Sequence, residues 1–139
     1  MKKLFSTRTS ENALSLSLLL IRLAAGLLML INHGLDKLMH FGQKSSGFAD
    51  PFGVGSTLSL SMVVFAEFFC AAFIVLGLFT RLAAIPLVIA MGVAFFITHS
   101  MNFGAGKGGG ELALLFLVSY LVILIAGPGK VSLDRFIAK

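Results

Sequence analysis

The sequence has no tryptophan, one tyrosine and one cysteine. The single cysteine, Cys70, excludes an internal disulfide and any multi-cysteine metal site within one chain. Without tryptophan there is almost no aromatic belt for a bilayer interface, so lysine and arginine must do most of the anchoring. Acidic residues are also few, six against eleven basic ones. Purely polar stretches long enough for a separate soluble domain are missing.

What remains is largely hydrocarbon. The chain of 139 residues is 58% hydrophobic, with 14 phenylalanines and a mean hydropathy of +0.99. A soluble domain is about 45–50% apolar, so the composition indicates an integral membrane protein. A spanning helix takes about 20 residues, which leaves room for four helices and short loops. An all-α membrane bundle forming one domain over 1–139 is expected, with helices at about 13–39, 57–79, 82–99 and 109–127. The segment 40–56 is rich in Gly, Ser, Asp and Pro and reads as a loop. Gly127-Pro128-Gly129 is a helix stop. The N-terminal apolar run is longer than a signal core and follows a polar stretch, so it is read as a retained helix.

Charge placement predicts orientation. Lys2, Lys3, Arg8, Arg81, Lys130, Arg135 and Lys139 fall on the side of the termini, against Lys37, Lys44 and Lys107 opposite. The positive-inside rule then predicts cytoplasmic termini in a bacterial inner membrane. The net charge of +5 is explained by insertion and anionic lipid, so no nucleic-acid partner is invoked.

Arg22 and Glu67 are lone charges within long apolar stretches. A charge at bilayer depth costs about 2.5–3.5 kcal/mol on insertion scales and is normally paired. The two are therefore expected to form a buried ion pair. Arg22, Gly26, Met29, His33 and Lys37 follow helical spacing and share one face. His33, Lys37, His99 and Glu111 should lie at one depth above that pair, with Asn32 and Asn102 as neighbours. This outward-facing polar site has groups that titrate near neutrality or can be tuned to do so. It suits a quinone headgroup, a small solute or a proton relay. No residue is assigned a catalytic role.

Other chemistries fit less well. His33 and His99 as haem ligands lack a second pair or a CxxCH motif. Two histidines and a glutamate with unspecific spacing do not define a metal site. Cys70 reads as a small buried residue. GAGKGGG lacks the GxxxxGK[ST] spacing and a preceding strand, so it is a flexible loop. The Phe-rich stretches read as lipid-facing and bundle packing, with Phe95, Phe96, Phe103 and Phe116 flanking a flat ring as the alternative.

The strings RLAAGLLMLINHGLDKL, AEFFCAAFIVLGLFTRLAA, THSMNF and GGGELALLFLVSYLVILIAGPGKVSLD resemble the DoxX family of small bacterial membrane proteins. The resemblance runs from about residue 14 to 134. It implies a four-helix membrane bundle and covers Arg22, His33, Lys37, Glu67, Arg81, His99 and Glu111. Through DoxD-like relatives it also implies a link to a thiosulfate:quinone oxidoreductase or another redox complex. The leading expectation is an accessory or quinone-interacting subunit of a redox system, with redox-complex subunits as partners. The alternatives are a permease component for a small solute or protons, which predicts homo-oligomers, and a non-catalytic scaffold of a membrane complex.

Overall fold

The computed structural model describes residues 7–138. Lys2, Lys3 and Lys139, counted above for orientation, lie outside the described residues. Four apolar helices carry the fold: α1 (Glu11–Met39), α2 (Ser56–Leu76), α3 (Thr80–Thr98) and α4 (Glu111–Ala126). The first three are long and apolar enough to cross a membrane; α4 is shorter. Each helix packs on its neighbours in a ring, α1 on α2, α2 on α3, α3 on α4 and α4 on α1. The up-down connectivity places both ends of the described chain on one face of the bundle, here the terminal face. Residues 40–55 and the glycine segment 102–110 cover the other, the loop face.

Local chemistry sets the helix ends. Ser10 caps α1, its hydroxyl accepting from Ala13 N at 3.1 Å. Asp50 organises the entry to α2, accepting from Gly55 N at 2.7 Å, Ser59 Oγ at 2.8 Å and Val54 N at 3.0 Å. The Gly55 N–H, then the Ser59 hydroxyl, hold the Asp50 carboxyl below its ordinary value. α2 ends at Leu76, earlier than the expected 79, because Gly77 turns into the left-handed region at φ +69°. α3 starts at Thr80 rather than 82, straight after Phe79, itself left-handed at φ +47°.

Three of the helices are locally wider than α. Leu30–Gly34 in α1, Phe65–Cys70 in α2 and Ala94–Thr98 in α3 are π-helical. The first two pack against each other where α1 crosses α2. There Gly34 sits directly against the Glu67 backbone, and a Cβ on Gly34 would collide with the Glu67 carbonyl. The core below is built from Met29, Ala71, Ile74, Ala84, Leu87, Tyr120 and Ile123, all almost fully buried. The outer helix faces carry exposed Leu, Ile, Val and Phe, as a lipid-facing surface requires.

Candidate functional site

The two deep charges do not pair with each other. The Lys37 ammonium donates to Glu67 Oε2 at 2.5 Å, and the two side chains are 17% and 6% exposed. Arg22 instead donates to four carbonyls: Ile74 (2.9 Å), Val75 (3.1 Å), Pro128 (2.7 Å) and Val131 (2.8 Å). Depth is the reason. Arg22 lies level with Ile74, seven residues below Glu67, or about 10 Å of helix. Lys37 is fifteen residues above Arg22 on the same face, and its long stem reaches back down to the carboxylate.

The first centre is therefore His33, Lys37 and Glu67 at the π-helical crossing. The wider turns shift His33 and Glu67 relative to an α-helical register, and such bulges are frequent at functional sites. Half-buried His33 packs edge-on to Phe116 of α4, with ring centroids 5.7 Å apart. Phe116 stacks on Tyr120, 6.1 Å away, whose hydroxyl donates to Ala25 O at 3.0 Å. The Lys37–Glu67 pair and the His33 ring, one helical turn before Lys37 and against Phe116, thus share the loop-face half of the bundle. Such a set can bind a polar headgroup and exchange protons with it.

His99 and Glu111 do not complete this centre. His99 ends α3, and its Nδ1 lies 3.3 Å from Gly108 O. Asn102 Nδ2 donates to the same carbonyl at 3.4 Å, and Asn102 Oδ1 accepts from Gly104 N at 2.9 Å. Gly110 N also donates to Asn102 O at 2.7 Å. His99 and Asn102 thus tie down the glycine segment. Glu111 is exposed in the first turn of α4, where a carboxylate complements the helix dipole. Among the described residues no hydrogen bond or ion pair joins His99 or Glu111 to His33 or Lys37. Cys70 is buried in the core. Among the described residues no three of His, Cys, Asp and Glu converge as a metal site.

The second centre, around Arg22, has neighbours the sequence reading did not foresee. Gly77 leaves space for the guanidinium, which a Cβ there would strike. Asp134, beyond the Gly-Pro-Gly stop, folds back beneath α3. Its carboxylate accepts from Phe79 N at 2.6 Å and Thr80 N at 2.9 Å, capping α3 from a distant part of the chain. Asp134 N donates to Gly77 O at 2.8 Å, and Lys130 N to Ser15 Oγ at 2.8 Å. Partial burial works to raise the Asp134 carboxyl, but its contacts with Thr80 and Phe79 and the Arg22 charge outweigh this and hold it low. These contacts knit the ends of all four helices together. The signal was the SLD string after the stop, which apolar periodicity does not register.

The family model DoxX matches residues 17–100 of this chain. The chain belongs to the DoxX family. Curated relatives include an uncharacterised membrane protein of Mycobacterium tuberculosis, 32% identical over 135 residues, covering 88% of this chain and 82% of the relative. An uncharacterised protein of Haemophilus influenzae is 34% identical over 115 residues, covering 77% of this chain and 81% of its own. No solved structure matches the chain. This DoxX protein is a multi-pass membrane protein of the bacterial inner-membrane kind.

Proposed function

We propose that this DoxX protein is an accessory subunit of a membrane redox system, and that His33, Lys37 and Glu67 receive a quinone headgroup. The supporting observation is the Lys37–Glu67 contact of 2.5 Å beside a half-buried histidine on an aromatic wall. A bare buried ion pair would serve architecture; an adjacent imidazole adds a ring that can accept a proton at one nitrogen and donate one from the other. Lys37 retains some exposure, so its ammonium and the His33 ring can donate to the carbonyl oxygens of a headgroup arriving from the bilayer. Reduction to quinol takes two electrons, supplied by a partner redox subunit, and two protons, which His33 and the Lys37–Glu67 pair would relay. The redox and quinone assignment draws on the resemblance to DoxD-like proteins as well as on this geometry.

The test is saturable binding of a short-chain quinone to the purified protein in nanodiscs. His33→Ala is expected to weaken it at least tenfold while the protein remains folded, and the folded fraction of the destabilised Glu67→Gln to weaken likewise. Absence of saturable binding in the wild type, or unchanged affinity in both variants, would sink the reading.

A further inference from the structure

A groove of about 410 Å³ opens on the terminal face, between the first turns of α1 and the tail after α4. Leu14, Leu18 and Ala126 contribute its apolar lining, and Lys130 and Arg135 its cations. Leu14 and Leu18 lie on α1, which is long and apolar enough to cross a membrane, Ala126 is the last residue of the shorter apolar α4, and the cations lie beyond the end of α4. The groove is therefore amphipathic along the direction that a lipid is, with hydrocarbon first and positive charge at its polar end.

The cations are available. Lys130 Nζ reaches Glu11 Oε2 at 2.7 Å and Asn12 Oδ1 at 3.3 Å, but the Glu11 side chain is 85% exposed. Exposed pairs of this kind are weak and exchange readily for another anion. Arg135 makes one long side-chain bond, from Nη1 to Lys130 O at 3.4 Å. Asp134, the one acid among the described lining residues, has both carboxylate oxygens engaged by the Phe79 and Thr80 amides. The tail itself is pinned to the bundle, Leu133 N donating to Leu76 O and Asp134 N to Gly77 O. Yet it leaves Val131, Phe136 and Ile137 exposed. Apolar side chains fixed beside basic ones match the boundary between headgroups and acyl chains.

We infer that this groove seats one anionic phospholipid of the surrounding bilayer, its phosphodiester on Lys130 and Arg135 and one acyl chain against Leu14, Leu18 and Ala126. This seat is independent of the quinone reading, because it lies at the opposite face of the bundle.

The experiment is native mass spectrometry of the full chain in mild detergent, with equimolar phosphatidylglycerol and phosphatidylcholine of identical chains. The wild type is expected to retain phosphatidylglycerol preferentially. One basic residue near an anionic surface strengthens binding about fivefold, so Lys130→Gln with Arg135→Gln should lower retention roughly tenfold or more. Lys107→Gln, on the loop face, should leave it unchanged. If the double variant does not fold, Arg135→Gln alone carries the test, with an expected fall of about fivefold. Equal retention of both lipids by the wild type overturns the inference. So does a fall below about threefold in the folded variant tested, or displacement of the lipid by millimolar inorganic phosphate.

Discussion

The Arg22 guanidinium occupies the space that a side chain on Gly77 would fill. That glycine answers two demands, a left-handed backbone at φ +69° and room for the fork that collects four carbonyls. Gly77→Ala meets both penalties. A non-glycine residue in that conformation costs about 1–2 kcal/mol, and displacing the guanidinium adds lost hydrogen bonds to a charged group. Destabilisation of about 3 kcal/mol or more is expected in thermal unfolding in detergent. A variant as stable as the wild type would show that the arginine has other ways to be satisfied.

Lys37 and Glu67 should be energetically coupled. Removing one partner of a buried pair leaves the other charge stranded, at about 3–5 kcal/mol. Lys37→Met and Glu67→Gln are each expected to destabilise strongly, and the double variant by clearly less than their sum. The readout is a double-mutant cycle of unfolding free energies in bicelles. Strict additivity would mean that the contact contributes nothing.

The Asp134 latch should respond to acid. Its folded carboxyl is held low, so it contributes stability that is present above the unfolded value of about 3.9. That contribution is lost as pH falls through the lower folded value, so the change occurs below about pH 4. Amide hydrogen exchange at Phe79 and Thr80 is expected to accelerate across that window once corrected for intrinsic rates. In Asp134→Asn both amides should already exchange fast at neutral pH. Protection unchanged in Asp134→Asn would remove the latch from the account.

The helices and their order were legible because hydropathy, glycine and proline punctuate this chain strongly. The inward face from Arg22 to Lys37 was legible too, since helical spacing alone defines it. Partnership was not. Arg22 and Glu67 each read as a charge in an apolar run, and depth within a run is not fixed until its ends are known. The Arg22 guanidinium meets the Ile74 carbonyl, about two helical turns below Glu67, and only the packed structure sets that register. The π-helical turns at Leu30–Gly34 and Phe65–Cys70 leave no mark in a four-residue periodicity. His99 and Glu111 shared an expected depth with His33, but depth does not specify which way round the bundle a side chain points. The fold-back of Asp134 depends on contacts with residues more than fifty positions earlier, and local pattern does not contain them.

Arg22 also makes the order of synthesis matter. A ribosome delivers Ile74 and Val75 long before Pro128 and Val131, so the nascent chain enters the bilayer with its guanidinium half served. Pro128 and Val131 then complete the set of carbonyls around the cation. A chain stopped at Gly127 carries every apolar helix yet lacks the two carbonyls to which Arg22 Nη1 donates. In a pulse-chase such a product is expected to be degraded faster than the full chain. Equal lifetimes would mean that the carbonyls of α2 alone suffice.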